Sequence, residues 1–361
     1  MFLILLINAC TFLYENKKIY PVSFKTRINP IVKGRLGVSI FKDERPPDEK
    51  KRKYHSKSFT GNTIFMTGTK SFMWFDEKNG NHMFMSMPNG FAHYLTYSMR
   101  YSHFFNEVIL IDSLFDKNLE SSDLIKIKQK YNIDYLILGS INHFSGFTCT
   151  QLGSMKRNID RTRVQYSLQT FGKLDFLLEL YDLNKIKQSN IKKPMWVYHN
   201  TEQQYQMKPF IGFSENYLIN AAKKVLDYSV SNTLIKLESF LYDINENEIK
   251  ELSSNKDICL VTKPVTIKIP GFVYQSFNTN FLAHSKKIQL PGKIIKVFIK
   301  ENNDLSKNIC GYGYKIVPNS DERECNIWVN FCDSKKMSSA VFNVTIAHKR
   351  DDYIIDKNIS K

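Results

Sequence analysis

Six cysteines and eight histidines are the side chains of this 361-residue sequence with the widest chemical range. Their spacing restricts what they can do. Cys259, Cys310, Cys325 and Cys332 fall in the last third of the chain, and Cys149 stands apart. None belongs to a Cys-x-x-Cys pair and no histidine pair has ligand spacing, so the pattern is not that of a structural zinc site. In an oxidising compartment the four late cysteines are candidates for two disulfides, and buried reduced thiols are the alternative. His82, His93 and His103 recur at intervals that share no helical face, so they read as surface or satisfied histidines. Asp351 and Asp352 pair two carboxylates. Neighbouring residues on a strand point to opposite faces, which does not suit a general acid–base pair. The phosphate loop, the serine nucleophile elbow, the His-Glu-x-x-His pair and the dinucleotide glycine fingerprint are all missing. Neither catalysis nor a cofactor is expected.

Cys10 suggests different chemistry. The apolar run Met1 to Ala9 ends in a small residue and then this cysteine. The arrangement resembles the signal of bacterial lipoproteins, in which an apolar segment enters the export machinery and the exposed thiol takes a diacylglyceryl group that buries in lipid. That resemblance implies lipid attachment at Cys10, a signal over residues 1–10 and a linker over 11–32 that tethers a folded body to the membrane. It also implies an address at the outer membrane, facing the periplasm. Away from the N-terminus no apolar stretch approaches the roughly 18 residues of a membrane-spanning helix.

The formal charge of +16 favours acidic partners, nucleic acid or anionic headgroups among them. Lysines are nevertheless spread along the chain, and most of the 26 Phe, 19 Tyr and 3 Trp sit in strand-like runs that read as core. Nucleic acid is therefore the lesser reading, for a cytosolic basic protein.

Positioning elements follow from the hydrophobic pattern. Leu36 to Phe41 reads as a strand, closed by the turn Lys42 to Pro47, where Asp43 and Arg45 can satisfy one another. Residues 48–63, with Lys50, Lys51, Arg52 and Lys53, read as an exposed loop, and Thr63 to Phe75 as a strand or two. A helix capped by Asn89 leads to a strand at Phe105 to Ile111. A helix over Ser122 to Tyr131 precedes the nearly continuous apolar strand Ile133 to Ile141, in which Asp134 caps the turn. Gly172 to Tyr181 alternates and pairs with Pro194 to Tyr198, and Ser214 caps a helix to about Leu241. Asn245 to Lys256, charged and poor in apolar residues, marks a domain boundary. Short β-rich runs follow, while Gly311-Tyr312-Gly313 reads as a turn. The fold class is α/β (α+β): a mixed sheet with packed helices over 33–244, then a smaller all-β, sandwich-like domain over 256–355.

The succession Leu36 to Pro46, Phe104 to Val108 and Ile133 to Phe144 resembles a domain of cell-envelope lipoproteins. That domain is shared by curli-secretion-type (CsgG-like) proteins, the amino-terminal part of the translocation protein TolB and the penicillin-binding-protein activator LpoB. The resemblance covers residues 33–242 and implies a protein–protein interaction or assembly module with unidentified envelope partners and an open oligomeric state. A curli-type secretion complex would need membrane-spanning hairpins. Thr63 to Phe75 and Gln151 to Gln169 occupy the right places, and the latter is polar and basic.

Overall fold

A computed structural model describes residues 18–19, 24–51, 54–57, 62–66, 72–76, 80–115, 119–152, 166–186, 193–201, 203–207, 215–269, 282–318, 321–332 and 338–350. Cys10, the expected signal and half of the linker lie outside the described residues, as do Asp351, Asp352 and most of the Gln151–Gln169 segment. The chain divides into two compact units, the first formed by residues 1–22, 34–99 and 107–235, the second by 23–33, 100–106 and 236–361.

In chain order the first half holds β1 (Lys18–Ile19), β2 (Thr26–Arg27), β3 (Val32–Ile40), β4 (Lys42–Asp43), α1 (Pro47–Lys51), β5 (Tyr54–Lys57), β6 (Asn62–Met66), β7 (Met73–Asp76) and β8 (Asn81–Phe84). Then come α2 (Met87–Ser102), β9 (Phe105–Leu114), α3 (Ser121–Tyr131), β10 (Tyr135–Leu152), β11 (Tyr166–Asp182), β12 (Trp196–Asn200) and β13 (Gln203–Met207). After α4 (Glu215–Ser253) follow β14 (Ile258–Ile269), β15 (Leu282–Gln289), β16 (Ile294–Glu301), β17 (Ile309–Ile316), β18 (Glu324–Phe331) and β19 (Ser338–Lys349). The architecture is α+β with mixed sheets, as the pattern of elements requires.

The first unit is built on a mixed sheet in the order β12-β11-β10-β3-β9, in which β10 runs parallel to β3 and antiparallel to β11. Strict alternation on β11 buries Leu174, Phe176, Leu178 and Leu180 completely and leaves Lys173, Asp175 and Glu179 partly in water. Phe91 and Leu95 of α2 and Leu218 and Val225 of α4 are equally buried. Where the sequence reads an exposed loop over 48–63, α1 and the β5–β6 hairpin stand instead, and β6 pairs with Ser145 to Thr148 of β10. Main-chain pairing there overrides a charged composition. Helix α2 begins at Met87, ahead of the expected Asn89 cap. Asp134 caps no turn after α3: it accepts from the backbone N–H of Arg35 at 3.0 Å and so ties β10 to β3.

The second unit is a sandwich of β14-β19-β16 and β15-β18-β17-β2. Its core takes Val265 and Ile267 from β14, Val297 and Ile299 from β16, Ile327, Val329 and Phe331 from β18, and Phe342, Val344 and Ile346 from β19. The expected boundary at Asn245 to Lys256 is helical as far as Ser253. Its charges are used: Glu248 pairs with Lys296 and Glu246 with Lys300. Residues 24–32, expected within a linker, belong to this unit, because β2 adds to β17 in parallel register, Thr26 beside Gly311 and Arg27 beside Tyr312.

Candidate functional site

Gly311-Tyr312-Gly313 is strand, not turn, and its glycines are what admit β2. A side chain at Gly311 would stand 2.7 Å from the carbonyl oxygen of Thr26, and one at Gly313 would stand 2.4 Å from Cβ of Ile28. With that face clear, Ile28 donates its N–H to the Tyr312 carbonyl at 2.8 Å, and Asn29 accepts from the Tyr314 N–H at 2.7 Å. The register points Arg27 into the unit, where it is 5% exposed.

A buried guanidinium must be paired and hydrogen-bonded. Arg27 Nη2 donates to Glu238 at 2.5 Å and to the hydroxyls of Tyr242 and Tyr312, and its carbon lies 5.0 and 4.6 Å from those two ring centroids. Burial pulls its pKa down, but Tyr312, Tyr242 and Glu238 more than offset this and hold the group charged. Burial also pushes the phenols of Tyr312 and Tyr242 above their ordinary range, against the pull of Arg27. Beside this cluster opens a cleft of about 220 Å³, lined among others by Arg27, Lys33, Tyr242, Asn245, Lys296 and Phe298. Cations, carboxamides and aromatic faces meet there, the mixture that orients a small ligand. Sequence reading missed this site, because no local motif joins Arg27 to partners more than 200 residues away.

The expected thiol residues are partly brought together. Cys310 and Cys332 are joined in a disulfide with their Cα atoms 5.1 Å apart. Cys259 and Cys325 carry free thiols, and of these Cys325 is buried while Cys259 is half-buried, so one disulfide stands where two were candidates. Burial pushes the Cys325 thiol up to about 11, with Lys263 opposing. Asp43 and Arg45 do satisfy one another, through bonds of 2.9 and 3.0 Å from Nε and Nη2 to the two carboxylate oxygens.

The histidines take separate partners. His82 lies 3.1 Å from the Ile19 carbonyl and His103 lies 2.8 Å from that of Arg27, while the buried Nδ1 of half-buried His93 has no partner among the described residues. His143 stands between Glu49 at 2.8 Å and the Ser145 hydroxyl at 2.6 Å, which has the connectivity of a nucleophile, a base and an orienting acid. Ser145 is only 1% exposed, so this chain serves to fasten α1 to β10 and presents no hydroxyl to a substrate. Among the described residues no three of His, Cys, Asp and Glu are grouped to hold a metal ion.

The chain matches no family model and no curated protein. Among solved structures, the crystal structure of protein XCC0632 from Xanthomonas campestris, described under the family model DUF330, is similar over 64% of this chain and 98% of that one. The identity is 9% and the TM-score 0.34.

Proposed function

We propose that this chain is a non-catalytic cell-envelope protein, anchored through a lipid on Cys10 and facing the periplasm from the outer membrane. There it acts as an interaction or assembly module for other envelope proteins. The observation that carries the reading is the apolar run Met1 to Ala9 ahead of Cys10. Support for the docking role comes from β9, an end strand of its sheet with Val108-Ile109-Leu110-Ile111 at its centre. Among the described residues its outer edge pairs with no strand, and such an edge accepts an extended segment of a partner.

The test is fatty-acid labelling in the native host, comparing the wild type with Cys10→Ser. Label on the wild type and none on the variant is the expected result. Absence of label from both removes the anchor and favours the cytosolic, basic alternative, whose mark is nucleic-acid affinity that falls steeply with salt.

One observation favours a second reading, as a subunit of an oligomeric outer-membrane secretion complex. Strands β10 and β11 continue as a hairpin to Leu152 and from Tyr166, flanked by β6 and β13, around the place where a membrane hairpin would be inserted. Heat-resistant rings seen by negative-stain microscopy would support that assembly, and a monomer in detergent would remove it.

A further inference from the structure

We propose that the cleft beside Arg27 in the second unit binds a small organic anion through its carboxylate or phosphate oxygens. The lining contains three cations, Arg27, Lys33 and Lys296, and no carboxylate. Two of them are held from outside the lining, Arg27 by Glu238 and Lys296 by Glu248, while Lys33 makes no ion pair with the described residues. One positive charge is left facing the cleft.

Donor geometry points the same way. Every side-chain hydrogen bond of Arg27 leaves from Nη2, so Nε and Nη1, with three hydrogens between them, donate to nothing among the described residues. Arg27 as a residue is only 5% exposed, and the cleft that it lines is where an acceptor can reach these donors. Asn245 repeats the pattern. It is 9% exposed, lines the same cleft and makes no side-chain hydrogen bond with the described residues. An oxyanion supplies the acceptors that both side chains lack, and it does so in charge-assisted form at the guanidinium. Phe298 and Tyr312 offer ring surface to the rest of the ligand, and about 220 Å³ admits a single-ring body.

The experiment is isothermal titration of the full chain with phenyl phosphate and, separately, with benzoate, which distinguishes a phosphate site from a carboxylate site. Saturable one-to-one binding of at least one probe is expected. Asn245→Asp puts a negative charge on nearly the same shape, and it is expected to weaken that binding by about tenfold or more. Circular dichroism identical to the wild type shows that the variant has folded. Arg27→Gln removes the guanidinium as well, but Asn245→Asp decides the matter if Arg27→Gln does not fold. No saturable binding of either probe up to about 10 mM, or binding unchanged in folded Asn245→Asp, overturns the proposal.

Discussion

Gly146 of β10 stands directly opposite Gly172 of β11, and each meets a main-chain carbonyl of α4 where a side chain would otherwise be. A Cβ at Gly146 would lie 2.2 Å from the Leu218 oxygen, and one at Gly172 would lie 2.1 Å from the Ala221 oxygen. The paired glycines form a seat that brings the helix backbone down onto the sheet.

Neither obstacle is a flexible side chain, so Gly146→Ala or Gly172→Ala must push α4 away. Each is expected to lower stability by about 1–3 kcal/mol in urea unfolding. Because one displacement of the helix makes room for both methyl groups, the double variant is expected to cost less than the sum of the singles. Two independent, fully additive losses would mean that the two sites are not coupled through the helix.

Asp43→Asn tests the turn after β3. The Arg45 side chain is 1% exposed and the Asp43 side chain 24%, so the substitution leaves a buried guanidinium without the carboxylate that grips it by two bonds. A loss of about 3 kcal/mol is expected, at the low end for a broken buried pair because Asp43 is partly in water. A change below about 0.5 kcal/mol would place the pair with ordinary surface ion pairs.

Much of this framework is legible in the residues. Leu174, Phe176, Leu178 and Leu180 announce their face by period two, and the mutual pairing of Asp43 and Arg45 follows from their places in a proline-stopped turn. What escapes reading is non-local. Thr26 and Arg27 look like linker because their partners, Gly311 and Tyr312, lie 285 residues away. The last turns of α4 look like a boundary because Glu246 and Glu248 find their cations, Lys300 and Lys296, only in the folded unit. Strand β15, with Lys286 and Lys287 in it, has the polar composition of a sheet edge and no hydrophobic run to betray it. The Arg27 cleft combines both difficulties: a short polar strand and distant partners.

Two ionisable groups, Asp227 and His93, give stability opposite dependences on pH through partial desolvation. Burial raises the Asp227 carboxyl above its ordinary range, although the Tyr94 hydroxyl donates to it at 2.6 Å and Lys223 lies near. The folded state therefore keeps this proton to higher pH than the unfolded state, whose value is about 3.9. The stability it contributes is full below that value and is lost as pH rises through the raised pKa. Burial lowers His93, against Asp76 and Asp112, so its contribution is full above about 6.5 and is lost as pH falls through the depressed pKa. Urea midpoints measured from about pH 4 to 7 should show Asp227→Asn gaining on the wild type as pH rises. His93→Gln should gain on it as pH falls. Parallel curves for all three proteins would mean that neither group titrates differently on folding.

The cysteines make the last prediction, one of reactivity and redox state. Cys310 and Cys332 close a loop with a sequence separation of 22, and the chain-entropy relation gives such a cross-link about 3 kcal/mol. Dithiothreitol, or Cys310→Ser with Cys332→Ser, is therefore expected to lower the unfolding midpoint of the second unit. Reductant should have no further effect on the double variant. Of the two free thiols among the described residues, Cys325 is buried and held up to about 11, so at pH near 8 it carries little thiolate and no open path. Cys259 is half-buried on β14 and has the better access. Iodoacetamide followed by peptide mass spectrometry should modify Cys259 first and Cys325 only as the sandwich unfolds. Equal rates at the two positions in the native protein would mean that β18 opens far more readily than its buried packing implies.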